Sequence, residues 1–375
     1  MIGPLGRRVA SRAGEREAGA VMLTDDHVLP IALGDNWLYA LPPLSGNPEE
    51  GLLLVDAGPD YDGAWTALGA QLEAAGYGTR DVRVVAITHA HIDHCGLAHR
   101  WQQDGTVVAG GADDADHFAQ GDRVVRFQSA LVFRFLRECG VPADRLERFQ
   151  TARARRSARL RAAAEQADSD VQAGGKASAR RERWPGFLRG TPFQPDRALR
   201  DGDTVSAGGR TLTFVEATGH TPGNGVFYEA ASGALFSGDQ LLPHITPNPG
   251  IHFLGNDYAR RLQSLPMYSR ATERIRQLGA RHLYPGHGDH TPKVDEVIAR
   301  TQRHHEQRQR RIRRFLRDGP LTPHALLEKF FPHLPDGRLW QAMAEVVGHV
   351  DQLEEDGAVV REPDGAGGVA VRSTG

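Results

Sequence analysis

The feature that most restricts the possible folds is a dense polar box, "HAHIDH", which contains His89, His91, Asp93 and His94. It directly follows the apolar run "VRVVAI" at residues 82–87, which has the character of a buried strand. Burying these four side chains without partners would be costly, and a surface loop has no need of such a pattern. Imidazole and carboxylate groups are ligands that zinc and related ions prefer. The box therefore predicts a metal site at the end of a strand.

The sequence around this box alternates between strand and helix patterns. Apolar runs at residues 28–34, 36–41 and 51–58 have the length of strands and are separated by turn residues. Residues 61–78 instead show helical spacing, and a further strand is predicted at 81–88. This order predicts an α/β fold made of packed layers of sheet and helix.

Two hairpins and an insertion are predicted in the middle of the chain. Residues 203–220 contain the pair Gly208-Gly209 between alternating runs, and residues 225–240 read as a second hairpin. Residues 113–196 are expected to contain a helical insertion, because much of this stretch is rich in alanine and arginine and has little apolar periodicity.

The two ends of the chain differ from the middle. Residues 1–20 are predicted to be a flexible leader, and residues 21–300 a catalytic domain. Residues 301–375 begin with a linker helix and continue in the order helix, helix, glycine-tipped hairpin. That order predicts a second, smaller domain.

Three more candidate ligands follow strand-like runs later in the chain. They are His220 in "EATGHTPGN", Asp239 in "LFSGDQ" and His287 in "YPGHG". Each lies close to glycine, which lets the backbone approach a cluster of side chains. Several separated segments are therefore expected to contribute to one site, and a catalytic site would keep a coordination position for water.

These motifs resemble those of the metallo-β-lactamase superfamily, in which a four-layer αββα sandwich holds one or two metal ions. The resemblance extends from about Val21 to His290. The matching residues are His89, His91, Asp93, His94, His220, Asp239 and His287, together with Asp56 in "VDAG".

The resemblance implies a pair of Zn²⁺ ions, with iron or manganese as alternatives. The implied ligands are His89, His91 and His220 for the first ion, Asp93, His94 and His287 for the second, and Asp239 as the bridge between them. Asp56 would either orient the metal loop through a ligand or cap a turn. Cys95 is expected to pack under the loop rather than to bind metal.

The chemistry implied by such a site is hydrolysis. Two adjacent cations lower the pKa of a bound water from about 15.7 toward roughly 7, and they polarise a carbonyl group. A metal-bridged hydroxide would then attack the substrate. Asp93 is the expected catalytic residue, because it would hold and orient this hydroxide besides binding metal.

Within the superfamily, the chain resembles the glyoxalase II-like and β-lactamase-like-protein-2-type branch, whose members carry a winged-helix-like domain after the sandwich. The resemblance lies in "SGDQLLPHITPNPGI", "YPGHG" and the C-terminal module. It implies cleavage of an acyl-coenzyme A, acyl-carrier-protein or glutathione thioester. Hydrolysis of a lactone or another ester, cleavage of RNA, and oxidation of a persulfide by a mononuclear iron site remain open. Flavodiiron proteins are disfavoured, since they have Glu where this chain has His91.

Composition restricts the partners and the compartment. A formal net charge of −2 argues against nucleic acid and anionic membranes as main partners. Two cysteines give no disulfide framework, and the absence of an apolar signal segment or a bilayer-length apolar run predicts a cytoplasmic protein. The expected partner is a small-molecule or carrier-bound acyl substrate, and a homodimer remains open.

Other side chains carry weaker predictions. Asn224 and His244 lie in loops beside ligand motifs and are expected to contact the substrate. The basic stretch at residues 303–317 is expected to be a solvated helix, with attraction of coenzyme A or phosphopantetheine phosphates, or of nucleic acid, as alternatives. His304 and His305 within it are expected to be solvent-exposed.

Overall fold

The computed structural model describes residues 24, 27–121, 129–172, 188–254 and 259–375. Its strands are β1 (Leu29–Leu33), β2 (Asn36–Leu41), β3 (Leu52–Val55), β4 (Val82–Ile87), β5 (Val107–Gly111), β6 (Arg197–Leu199), β7 (Thr204–Ala207), β8 (Arg210–Glu216), β9 (Gly225–Glu229), β10 (Ala234–Gly238), β11 (His282–Pro285), β12 (Val359–Pro363) and β13 (Val369–Ser373). Its α-helices are α1 (Ala64–Ala74), α2 (Ile92–Cys95), α3 (Ala98–Gln103), α4 (Ala115–Gln120), α5 (Ser129–Glu138), α6 (Ala143–Gln172), α7 (Ser264–Gln277), α8 (Val294–Phe315), α9 (Pro323–Phe330) and α10 (Leu339–Glu355).

Two sheets form the centre of the molecule. One has the order β1-β2-β3-β4-β5-β6 and the other β11-β10-β9-β8-β7. Tyr39 and Ala86 of the first sheet share a buried apolar cluster with Phe214, Phe236 and Tyr284 of the second. The sheets therefore pack face to face and bury this cluster between them.

Helices cover the outer faces of both sheets. Leu68 and Leu72 of α1 and Trp101 of α3 pack on the first sheet, and Ile275 of α7 and Ile298 of α8 pack on the second. The four-layer αββα sandwich predicted from the sequence is confirmed.

The predicted elements of the sandwich are present in the predicted order. The hairpin of β7 and β8 is antiparallel, with Ala207 opposite Arg210. Gly208 and Gly209 both have positive φ, 58° and 75°, as a tight two-residue hairpin turn requires. The strands and helices begin and end within a few residues of the predicted positions, because the apolar patterns identify an element well but fix its ends only approximately.

The described part of the insertion packs against the C-terminal elements. Leu136 of α5 and Phe149 of α6 share one apolar cluster with Ile312 of α8, Met343 of α10 and Val371 of β13. The C-terminal elements follow the order helix, helix, hairpin. Their classification as a winged-helix-like domain and the domain boundaries stay predictions, and the expected leader, like residues 122–128 and 173–187 of the insertion, lies outside the described residues. Among the described helices, none combines the length and apolarity that crossing a membrane requires.

The expectation that His305 is solvent-exposed is wrong. His305 is buried between α8 and α10, and its Nδ1 lies 3.2 Å from His349 Nε2. His349 Nδ1 in turn donates to the carbonyl oxygen of Glu345 at 2.6 Å. This chain of hydrogen bonds requires both rings to be neutral, because His305 Nε2 is buried without a hydrogen-bond partner. The helical pattern of α8 misled the interpretation, since it does not show that α10 covers this face.

Acid should destabilise the fold through this histidine pair. Burial lowers the pKa of His349 to about 3 and that of His305 well below its usual value, and the charge of Arg308 acts in the same direction. Histidine in an unfolded chain titrates near ~6.5. The stability present above that pH is therefore lost as the pH falls below about 6.5, by about 1.4 kcal/mol per pH unit for each histidine, and for His349 the loss continues toward pH 3.

Unfolding free energies measured between pH 7 and pH 5 test this expectation. The dependence on pH should be weaker in His305→Leu, which removes one of the two neutral rings. His333→Gln changes an exposed histidine of the same region and should leave the dependence as it is in the wild type. An unchanged pH dependence in His305→Leu would contradict the assignment.

Candidate metal centre

The polar box leaves the carboxyl end of β4, where the strand passes into the short helix α2. His94 is buried beneath the loop, whereas His91 and Asp93 face its open side. Backbone bonds hold the segment, since the amides of Ala57 and Gly58 both donate to His94 O, at 2.8 and 3.0 Å. The strand end thus fixes ligands of different accessibility in one loop.

The other three candidate ligands come from the second sheet. His220 follows β8, Asp239 follows β10, and His287 follows β11. β10 and β11 are parallel, so their carboxyl ends meet at the same edge. A Cβ on Gly286 would lie 2.5 Å from His94 Cε1 and 3.0 Å from Asp239 Oδ1, so only glycine lets this backbone approach the cluster.

One group of side chains converges around His91. His91 Nδ1 lies 2.9 Å from His89 Nε2 and 3.0 Å from His220 Nε2. Asp239 Oδ2 is 3.5 Å from His220 Nε2. The ligand atoms of these four residues all lie within 4.8 Å of one another, as they must to bind a single ion.

A second group lies beside the first. His287 Nε2 is 3.4 Å from Asp93 Oδ2, and His94 Nε2 is 3.8 Å from the same oxygen. Asp239 Oδ1 is 3.4 Å from His94 Nε2 and 3.5 Å from His287 Nε2. Asp239 therefore directs one oxygen toward each group, the arrangement that a bridging ligand needs.

The unsatisfied atoms of the cluster fit a pair of cations. His94 Nε2 and Asp239 Oδ1 are buried and have no hydrogen-bond partner among the described residues, which is costly unless another group binds them. A set of imidazole nitrogens and carboxylate oxygens suits zinc, iron or manganese. The chemistry of the ligands supports a two-metal site and leaves the identity of the metal open.

The pKa shifts describe an electrostatic environment suited to cations. Burial and the neighbouring histidines lower the pKa of His89 well below its usual value. Loss of water around the ring of His91, where the other histidines pack against it, and the charge of His220 lower the pKa of His91 to about 3, so both rings are neutral. Burial alone would raise the pKa of Asp93 and Asp239, but His94 and the other neighbouring histidines outweigh it and both pKa values are lowered. Against its own burial, the pKa of His94 is raised by Asp56 and Asp239. This concentration of negative charge favours a bound cation.

Asp56 contacts both the metal loop and a candidate ligand. Its carboxylate accepts the backbone N–H of Thr88 at 2.8 Å and the Nδ1–H of His94 at 2.7 Å. The second bond turns His94 Nε2 toward the cluster, which corresponds to the orienting role that the resemblance implied. Asp56 has a φ of 64°, an uncommon conformation for a non-glycine residue that these bonds stabilise.

Sequence reasoning missed Asp114, which joins two ligand-bearing loops. This fully buried carboxylate accepts the N–H of Ala90 at 2.9 Å, the Oγ1–H of Thr221 at 2.7 Å and the N–H of Gly223 at 2.7 Å. Ala90 lies between two ligands of the first box, and Thr221 follows His220. The only sequence signal was an aspartate just after β5, which is indistinguishable from an ordinary turn residue.

The two predicted substrate contacts have different outcomes. Asn224 is fully buried, and its Nδ2 donates to Ala217 O and Gln240 Oε1. It therefore cannot contact a substrate in this conformation and instead holds the loop that carries His220, which corrects the expectation. His244 is exposed and lines a cleft beside His287. Cys95 is buried and free, as expected for a residue packed under the loop.

Comparisons with known proteins agree with this fold and site. The family model described as "Metallo-beta-lactamase superfamily" matches residues 47–287. The "Probable metallo-hydrolase YqjP" of Bacillus subtilis is 26% identical over 88% of this chain and 91% of its own length. The "Atrochrysone carboxyl ACP thioesterase" of Aspergillus fumigatus is 28% identical over 38% of this chain and 46% of its own. A crystal structure of a metallo-beta-lactamase family protein from Thermus thermophilus has a TM-score of 0.63 and 25% identity, covering 92% of this chain and 97% of that one.

Proposed function

The chain belongs to the metallo-beta-lactamase superfamily, and we propose that it is a metal-dependent hydrolase that cleaves a thioester. The metallo-hydrolase relative and the cluster of histidines and aspartates support this reaction class. The observation that carries the proposal is the pair of ligand groups that share Asp239. Support for a thioester comes from the partial similarity to an acyl-carrier-protein thioesterase. The C-terminal elements, which pack beside the sandwich, would shape access to the acyl group.

Each ligand group would hold one cation. His89, His91 and His220 would hold the first, Asp93, His94 and His287 the second, and Asp239 would bind both. When bound, such a pair activates water at neutral pH and stabilises the negative charge that develops on a carbonyl oxygen. The neutral rings of His89 and His91 are already in the form that binds metal.

Asp93 is the side chain best placed to handle the attacking water. Its carboxylate is 23% exposed and faces the open side of the cluster beside His287. Ionised Asp93 would accept a hydrogen bond from the water and direct its oxygen toward the acyl carbon. The water would lose one proton as its oxygen bonds to the acyl carbon, and the carbonyl oxygen of the tetrahedral intermediate would carry the negative charge. Collapse of this intermediate would break the C–S bond, and the departing thiolate would take up the proton that the water lost.

A panel of thioesters tests the proposal. Zinc-loaded protein should release thiol from at least one class among acyl-coenzyme A, acyl-glutathione and acyl-carrier-protein thioesters, because the cluster would activate water against the acyl carbon. Chelator-treated protein should lose that activity and recover it when zinc is restored. Thiol release is followed with a chromogenic thiol reagent.

Other results of this assay would favour one of the alternative activities: ester or lactone hydrolysis, RNA cleavage or persulfide oxidation. If fully metallated protein released no thiol from any of these thioesters but hydrolysed a lactone or cleaved RNA, the thioester would be rejected as substrate in favour of that compound. Oxygen consumption with a persulfide by iron-loaded protein would replace hydrolysis itself.

A further inference from the structure

An open cleft of about 690 Å³ is lined by residues that follow the candidate ligands Asp239 and His287 closely along the chain. Pro243 and His244, which follow β10, form one wall, and residues at the start of α8 form the other. Arg300 and Arg303 line the cleft from one face of α8, three residues apart. The cleft is large enough for part of a drug-sized ligand.

The cleft begins where His287 leaves the metal cluster. The His287 side chain is 25% exposed, and the chain continues through Gly288 to Asp289 and His290, which line the cleft. A Cβ on Gly288 would lie 3.5 Å from the ring of His244. The segment that carries His287 therefore continues directly into the wall of this cleft.

The acidic side chains of the cleft do not neutralise its arginines. Glu296 Oε2 is 3.3 Å from Lys293 Nζ, and the charge of Asp295 acts on Arg276, which is not among the lining residues. The charge of Asp289 raises the pKa of a buried tyrosine of β2. Asp295 and Glu296 lie in the first turn of α8, and Asp289 precedes the helix.

Arg300 and Arg303 have no carboxylate within ion-pair distance in the part of the chain that the structure describes. Arg300 Nη2 donates to Leu242 O at 2.6 Å, which leaves most of its five N–H donors available. Burial and the charge of Arg303 lower the pKa of Arg300. Two like charges that lie side by side in a cleft favour an anion between them, and guanidinium groups match phosphate geometry.

We propose that Arg300 and Arg303 bind the phosphate of a 4′-phosphopantetheine thioester whose acyl carbonyl lies at the metal cluster. This inference rests on the proposed thioesterase function and specifies its leaving group. Coenzyme A and the prosthetic group of carrier proteins share this phosphate, whereas glutathione has none. The cleft therefore distinguishes these two classes of thioester.

Two substrates that differ by one phosphate test the site. Wild-type protein should have a KM about 10-fold lower for acyl-4′-phosphopantetheine than for acyl-pantetheine, as a charge-assisted phosphate contact provides. Arg303→Gln should raise the first KM by about 10-fold with kcat unchanged, and should leave the second KM as it is. Arg300→Lys, which keeps the charge but loses the planar fork, should show a smaller rise.

Arg313→Gln is the matched control. Arg313 is exposed on the same helix and is not among the residues that line the cleft, so neither KM should change. Acyl-coenzyme A and acyl-carrier protein then distinguish the two sources of the phosphate: both should respond to Arg303→Gln, and the lower KM identifies the natural one.

Failure of the phosphate site is distinguishable from failure of the thioesterase. Equal KM values for the two substrates, or an equal effect of Arg303→Gln on both, would overturn the site while thioester cleavage stands. If neither substrate is cleaved, calorimetric binding of free 4′-phosphopantetheine against pantetheine decides the matter without turnover, and equal affinities overturn the site. Binding of a short RNA that alone weakens in Arg303→Gln would assign the arginines to RNA and also overturn the proposal.

Discussion

Asp239→Ala should weaken the binding of both metals and lower kcat/KM by about 10³-fold or more. Among the described residues, Asp239 is the one that directs an oxygen toward each ligand group, 3.5 Å from His220 Nε2 and 3.4 Å from His94 Nε2. Without it, the first group keeps three imidazoles, and the second group loses an acidic ligand that balances the positive charge. We expect the metal content per chain to fall together with turnover.

The control for this variant is Glu306→Ala. Glu306 forms an exposed ion pair with Arg310 on α8, and such pairs contribute little to stability. Metal content is measured by elemental analysis of dialysed protein, and turnover by thiol release. Retention of two metals with full activity in Asp239→Ala would eliminate the shared-ligand site.

Asp114→Ala should weaken metal binding by about 10- to 100-fold, although Asp114 is not itself a candidate ligand. Its carboxylate joins the loop of His89 and His91 to the loop of His220 by three hydrogen bonds. Removing it leaves three donors unpaired, of which those of Thr221 and Gly223 are buried, and this lowers the free energy of unfolding by about 3 kcal/mol. Both loops then lose the arrangement in which their imidazoles converge.

Asp113→Ala is a matched control, since Asp113 is the preceding residue and is exposed. Zinc affinity is measured by competition with a chromogenic chelator, and stability by urea unfolding of the metal-free protein. A purely structural role for Asp114 would lower stability and leave the affinity of the remaining folded protein unchanged, which would contradict the positioning role.

The sequence was most informative where local patterns alone determine the structure. Alternating apolar runs and the pair Gly208-Gly209 were sufficient to predict the strands and the first hairpin of the second sheet. The candidate ligands could also be identified from the sequence. Histidine and aspartate beside glycine in a loop that follows a strand have few structural roles, so a functional role is favoured there. The convergence of Asp239 on both ligand groups is a property of the packed sheets and could only be implied by resemblance.

The sequence did not predict correctly the roles of side chains whose contacts come from segments distant along the chain. Asn224 was expected to contact substrate because it lies in a loop beside a ligand, but its amide is bonded to Ala217 and Gln240 beneath that loop. His305 was expected to be exposed, but α10 covers it. The sequence did not indicate the role of Asp114, since its three partners lie 24 residues before it and 107 and 109 residues after it. In each case the deciding contact is long-range, and a local pattern does not contain it.

Titration of metal-free protein with Zn²⁺, with bound metal and thiol release measured on the same sample, tests the two-metal hydrolase directly. The chain should bind two equivalents, and turnover should reach its maximum only as the second site fills. Thiol release that is equally fast in metal-free protein, or a plateau of turnover with no second equivalent bound, would contradict the two-metal hydrolase.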